Sequence, residues 1–357
     1  KKILNYIFVL FLLVIIFTLF EMTSFSTKYI NRAQVTFEIN NTKNPLYAFE
    51  SLETLSHDYG FELGTVNADN FDEFDCYLFQ DFPNLKNNFI NKILNNNKPK
   101  FLIIMEAPGT KSNNWDKKNH LFFEKIFTWD DGLVDDLTYF KINFPQNFNP
   151  YLDVRSLAKD NKIVNISSNI KKSFNGELYS LRLDIINWFE IHYPDKFDLY
   201  GRSWNKFSID GSFLSALNKI KALHIFSKKY STYKGEINGF GVSYDEKIKV
   251  LGRYKFSLCL ENQEGLKGYI TEKIFDCFCA RTIPIYKGCS NIDSHIPKGC
   301  YIDLDNFNDL EDLYAYVDAM PENLYLEYIN SINIFLKSDD IHKFSNDYFA
   351  QTILINL

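Results

Sequence analysis

The residues with the most chemical potential lie in one run, Tyr254–Gly288, which reads YKFSLCLENQEGLKGYITEKIFDCFCARTIPIYKG. Asn262, Tyr269, Glu272 and Lys273 cluster where a loop punctuated by Gly265 and Gly268 meets a segment with apolar Ile274, Phe275, Phe278 and Cys279 at helical spacing. Thr271 stands where an N-cap would. An ammonium beside a helix N-terminus suits a diphosphate, and an adjacent carboxylate suits sugar hydroxyls. The same spacing also suits an ordinary βαβ unit with a solvated first helical turn, since the run is neither a GxGxxG nor a Walker loop. Tyr254–Glu261 before the loop and Thr282–Tyr286 after the helix read as buried strands. A strand–loop–helix–strand unit of this kind turns its loop toward the ligand crevice of an open α/β sheet.

Three further positions could take part. Glu106 closes the apolar strand Phe101–Met105, and a carboxylate at the carboxyl end of a parallel strand can act as a general base if burial raises its pKa. It reads equally well as a solvated loop residue. Arg182, on a predicted helix after the strand end Ser167–Asn169, and Arg202, after Tyr200-Gly201, could each clamp a diphosphate bidentately or lie on a surface. Asp303-Leu304-Asp305 has the form of a metal-holding DxD, and Asp72, Glu73 and Asp75 with Asp130-Asp131 are other acidic clusters. Such pairs are common among 45 acidic residues, so no metal site is assigned. The six cysteines form no CxxC pair and read as buried thiols; the six histidines lack HxxxH or HExxH spacing. Asn40-Asn41-Thr42 and Asn165-Ile166-Ser167 match the glycosylation sequon, weakly in so Asn-rich a chain.

The elements that must position these residues follow from the pattern. A chain of 357 residues is long enough for two domains, a net charge of −6 argues against a nucleic-acid partner, and 34 Phe and 22 Tyr imply well-filled cores. Ile3–Phe20 is apolar and uncharged after Lys1 and Lys2, long enough to span a bilayer, and Ser24-Phe25-Ser26 is a poor cleavage site. A single-pass anchor with its flank is therefore expected over residues 1–25. Lys1 and Lys2 favour a cytosolic N-terminus, a bias that Lys28 and Arg32 weaken. Strands and helices alternate from Val35 to Pro145, Leu152–Asn161 reads as a linker, and a second alternating half starts at Lys162–Ile166. The expected divisions are 26–160, 161–325 and a helical tail over 326–357.

The run YKFSLCLEN…GYITEKIFDCFCARTIPIYKG resembles the signature of the α-1,3-fucosyltransferases, glycosyltransferase family 10. The upstream Ser168-Asn169, Leu181-Arg182 and Asp198-Leu199-Tyr200-Gly201-Arg202 resemble further landmarks of that family, as does Tyr301-Ile302-Asp303 before Phe307. The resemblance is dense over Ile163–Asp318 and thin over Phe101–Pro145. It implies a GT-B enzyme with two Rossmann-like domains facing a cleft, the first for the acceptor and the second for the donor. The implied reaction is inverting transfer of fucose from GDP-fucose to a hydroxyl of a GlcNAc- or Glc-containing glycan. By resemblance Glu106 is the general base, Arg182 and Lys273 neutralise the diphosphate, and Asn262, Tyr269 and Glu272 contact ribose or fucose. Arg202 is a further donor-side candidate. No cofactor is required, although a divalent metal can assist. The acceptor would be carried on a glycoprotein, glycolipid or lipopolysaccharide. The implied location is a membrane, facing the lumen as in Golgi enzymes, with a bacterial inner membrane and a cytoplasmic catalytic domain as the alternative. Leu260 stands where the family usually has phenylalanine, and the tail after Asn323 has no cysteine. A GT-B enzyme using another nucleotide sugar and a non-catalytic glycan-binding protein are the rival readings.

Overall fold

The computed structural model describes residues 24–29, 47–65, 71–146, 148, 159–206, 229–237 and 243–357. They fall into two compact units. The first takes most of the chain up to Ile142 together with Phe349–Leu357; the second is chiefly Asn143–Tyr348.

The first unit is built on a six-stranded sheet of β1 (Ser24–Tyr29), β2 (Phe61–Thr65), β3 (Cys76–Gln80), β4 (Lys100–Ile104), β5 (Lys125–Thr128) and β6 (Tyr139–Lys141), in the order β2-β1-β3-β4-β5-β6. β3 to β6 are parallel. Cys76–Phe79 of β3 and Phe101–Ile104 of β4 are unbroken apolar runs because parallel strands are covered on both faces. Tyr77, Phe79, Leu102, Ile104 and Ile126 pack there with Ile90 and Ile93 of the helix α2 (Asn88–Leu94); an earlier helix, α1, spans Tyr47–Ser56. β1 lies antiparallel between β2 and β3. Ser24 and Phe25, expected in an anchor flank, therefore open a sheet strand. The expected anchor Ile3–Phe20 and the expected strand Val35–Ile39 lie outside the described residues, among which no helix is long and apolar enough to cross a membrane.

The second unit holds an all-parallel sheet of β7 (Asp160–Ile166), β8 (Phe197–Tyr200), β9 (Tyr233–Gly235), β10 (Tyr254–Leu260), β11 (Ile283–Lys287) and β12 (Ile302–Asp303), ordered β12-β11-β10-β7-β8-β9. Asp160 and Asn161, expected in the linker, already pair in β7. Helices α3 (Tyr179–His192), α4 (Ser243–Leu251) and α5 (Glu272–Cys279) make the crossovers, and α6 (Leu310–Asp318) and α7 (Glu322–Phe335) follow β12. From β7 the chain winds outward through β8 and β9, and from β10 it winds the other way. The order thus reverses between β7 and β10, the place where open α/β sheets leave a crevice at their carboxyl ends. The last helix, α8 (Asn346–Asn356), buries Phe349, Ala350, Ile353 and Leu354, and from Phe349 onward belongs to the first unit. There Phe349 meets Phe49 edge-to-face and the Asn356 carbonyl accepts from Lys125.

Two landmark residues before the crevice have structural reasons. Asp198 is buried, accepts a 2.8 Å hydrogen bond from the Tyr254 hydroxyl, and so ties β8 to β10 across β7. Gly201, at a φ of 122°, lies so close to β7 that an added Cβ would sit 2.0 Å from the Ser167 carbonyl oxygen. Only glycine fits there.

Candidate functional site

The crevice at the β7–β10 reversal is a cleft of about 320 Å³. Asn165 to Ser168 at the end of β7 and Ser257 to Leu260 of β10 form its floor. Arg182, Arg202, Asn262, Glu272 and Lys273, five of the residues singled out by spacing, line it together. Tyr269 does not line it: the ring is buried and packs edge-to-face on Phe144 at 5.7 Å. Glu106 belongs to the first unit.

Behind the wall sits a carboxylate whose role the spacing did not reveal. Glu261, at the end of β10, is fully buried and accepts 2.8 Å hydrogen bonds from the Thr271 amide, the Thr271 hydroxyl and the Lys273 ammonium. Thr271 does occupy the N-cap position of α5, but its hydroxyl makes no capping bond because it is turned onto Glu261. Lys273 Nζ also donates to that hydroxyl at 2.8 Å, so two of its three N–H groups are used on this framework. Burial alone would depress the Lys273 pKa, but Glu261 and Glu272 outweigh it and push the pKa up, so the side chain is a fixed cation at neutral pH. Gly288 makes room for this arrangement: a Cβ there would meet Glu261 Cγ at 2.5 Å.

Arg182 is turned toward the sheet. Its Nη2 donates to the carbonyls of Leu260 and Glu261 at 2.9 and 3.2 Å, which fixes the end of β10. Burial lowers its pKa. Among the described residues its remaining guanidinium nitrogens make no hydrogen bond, and the side chain lines the cleft. A second lysine, Lys247 of α4, also lines the cleft and is ion-paired with buried Asp276. Burial would raise the Glu272 carboxyl, but Lys273 and Lys247 together hold it below the ordinary glutamate value. The lining therefore sets one carboxylate, Glu272, among four cations, Arg182, Arg202, Lys247 and Lys273. Lys247 was missed because its spacing from the loop is set by the fold rather than by any local pattern.

In the first unit, Glu106 follows β4 with an exposed side chain, without the burial invoked for a base of raised pKa, on a backbone that is held firmly. The Met105 and Glu106 amides donate to Asp81 Oδ1 at 2.8 and 3.1 Å, as does the Asn114 side-chain amide at 2.6 Å. The indoles of Trp115 and Trp129 donate to the carbonyls of Glu106 and Met105 at 3.0 and 2.9 Å. Asp81 itself adopts a positive φ of 61°, a strained backbone that such a network can sustain.

Three of the acidic candidates are occupied otherwise. Asp303 caps the turn at Asp305, Asp305 pairs with Lys287, and Asp131 pairs with Lys141. Among the described residues no group of three or more His, Cys, Asp or Glu could hold a metal ion. The cysteines, all free, are mostly buried. Asn165 of the second sequon is buried and bonded to Leu258 and Ser167; the first sequon lies outside the described residues.

The fold is shared with a crystal structure of an alpha1,3-fucosyltransferase, at a TM-score of 0.51 and 15% identity over 86% of both chains. In sequence, the chain is 32% identical over 130 residues to an alpha-(1,3)-fucosyltransferase of Helicobacter pylori, covering 35% of this chain and 25% of that protein. It is also 32% identical over 119 residues to an alpha-(1,4)-fucosyltransferase of Arabidopsis thaliana, covering 33% of this chain and 29% of that protein. The match therefore spans less than a third of either relative's length. Residues 196–338, which include β8 and the whole strand–loop–helix–strand unit, match the model of the glycosyltransferase family 10 (fucosyltransferase) C-terminal domain.

Asp81→Ala would leave two backbone amides and the Asn114 side chain without their acceptor. We expect a stability loss of about 3 kcal/mol and lost hydrogen-exchange protection at Met105 and Glu106. Unchanged protection at both amides would show that Asp81 does not hold this turn.

Proposed function

We propose that the protein is an inverting fucosyltransferase of GT-B type that moves fucose from GDP-fucose to a hydroxyl of a GlcNAc- or Glc-containing glycan. The observation that carries this reading is the cleft at the β7–β10 reversal, where Lys273, Arg182 and the start of α5 converge inside the segment that carries the family 10 match. A helix start with two cations is what a departing diphosphate needs. In this reading the second unit binds the donor and the first presents the acceptor, with residues 26–160 and 161–325 as the corresponding stretches of chain.

The acceptor oxygen attacks C1 of fucose as the bond from C1 to the phosphate oxygen breaks, and GDP leaves with the bonding electrons. Glu106 takes the proton of the attacking hydroxyl, which is the one base an in-line displacement requires. Arg182 and Lys273 carry the charge that develops on the diphosphate. Glu272, ionised beside two lysines, is suited to accept from sugar hydroxyls, and Asn262 and Arg202 line the same wall. Tyr269, expected to contact ribose or fucose, is buried away from the cleft lining and is given no donor contact in this scheme. No step calls for a metal. The name of the Helicobacter pylori relative, an alpha-(1,3)-fucosyltransferase, supports fucose as the sugar transferred. A GT-B enzyme with a different nucleotide sugar is the second reading, favoured only by the freedom of this fold to carry many donors.

Purified protein incubated with a panel of nucleotide sugars and an N-acetyllactosamine acceptor tests the proposal. Transfer is expected from GDP-fucose; transfer from another donor alone would select the second reading. Glu106→Gln should lower turnover by about 100-fold with GDP affinity kept, whereas Lys273→Ala should weaken GDP binding about tenfold. Equal loss of GDP binding in both variants would contradict the two roles.

A single-pass anchor over Ile3–Phe20 with a lumen-facing catalytic region is part of the same proposal, supported by the length and apolarity of that stretch. Residues 26–357 should then resist protease in sealed vesicles, and digestion without detergent would reverse the orientation.

A further inference from the structure

We infer that Glu261 is the positioning residue of the cleft, which sets the place of Lys273 and the start of α5 without touching the donor. This inference rests on the reading of the cleft as a nucleoside-diphosphate site and adds a residue to it.

Glu261 has 0% exposure, so its carboxylate is out of reach of a ligand and of bulk water. A buried carboxylate is costly unless each oxygen is satisfied. Here Oε1 takes the Thr271 amide, and Oε2 takes both the Thr271 hydroxyl and Lys273 Nζ. Those partners are the residue before α5 and a residue of its first turn. One side chain on β10 thus fixes the rotation of the helix start and the direction of its cation.

The surroundings are shaped to this one group. The Glu261 amide donates to the Lys287 carbonyl at 3.0 Å, and its own carbonyl accepts from Arg182 at 3.2 Å. Gly288 stands against its Cβ and Cγ at distances that exclude any side chain. Lys273 is three-quarters buried while Glu261 is wholly so, which means that the pair has an inner anchor and an outer, ligand-facing end. Without Glu261 the lysine would lose its restraint and swing on its four-carbon stem, and much of the benefit of a preorganised cation would go with it.

A merely structural role for Glu261 and a positioning role predict different behaviour of nucleotide affinity. The test is a double-mutant cycle on GDP binding by calorimetry with wild type, Glu261→Gln, Lys273→Met and the double variant, each checked for folding by circular dichroism. If Glu261 acts through Lys273, Glu261→Gln weakens GDP about tenfold, near the loss of one charge-assisted hydrogen bond. The double variant then binds no worse than Lys273→Met alone. Losses that multiply, or an affinity unchanged in folded Glu261→Gln, would overturn the inference. Should Glu261→Gln not fold, Thr271→Val removes a neighbour of the same ammonium and the hydroxyl partner of Glu261. A weakened GDP affinity that vanishes as an effect in the Lys273→Met background is again the expected result, and an additive loss the contrary one. The donor reading fails separately, through absence of GDP binding to wild type. If UDP or another nucleoside diphosphate binds instead, the same cycle is run with it.

Discussion

The buried ion pair between Glu261 and Lys273 is the constraint from which the cleft derives its shape. It joins the end of the central strand β10 to the first turn of α5, and both must stay in register for the cleft wall to exist. A charge pair in such surroundings gains less stability than an apolar pair of the same volume would, because both ions lose their hydration. It persists because one member is completely enclosed and the other reaches the cleft.

The rest of the second unit serves this pair. Arg182 pulls the β10 carbonyls into place, Gly288 leaves room for the carboxylate, and Asp198 with Tyr254 locks β8 and β10 on either side of β7. The reversal of strand order between β7 and β10 then leaves the pair at an opening instead of a covered seam. The first unit uses a comparable device for a different purpose. Asp81 gathers the amides of Met105 and Glu106, so that the turn after β4 is rigid while the Glu106 side chain remains exposed.

Much of this was legible in the residues. The apolar runs of β3, β4, β10 and β11 announced buried parallel strands, and the glycine-punctuated loop before α5 announced the crevice. Arg182, Arg202, Asn262, Glu272 and Lys273 were found from their positions at strand ends and helix starts. What was hidden depended on side-chain direction or on distant contacts. Thr271 was read as a cap because spacing gives a residue's place on a helix, not which of two acceptors or donors its hydroxyl chooses. Glu261, Lys247 and Asp81 have no pattern of their own; each matters through partners that the fold brings from 10 to 33 residues away. The short β9 and the antiparallel β1 escaped notice because pairing, more than composition, makes them strands.

A crystal structure of the protein with GDP tests the central claim most directly. The account predicts the diphosphate against the start of α5, within hydrogen-bond distance of Lys273 Nζ, with the Glu261–Lys273 contact intact. A nucleotide bound away from the β7–β10 cleft, or a Lys273 that leaves Glu261 to reach it, would contradict the account.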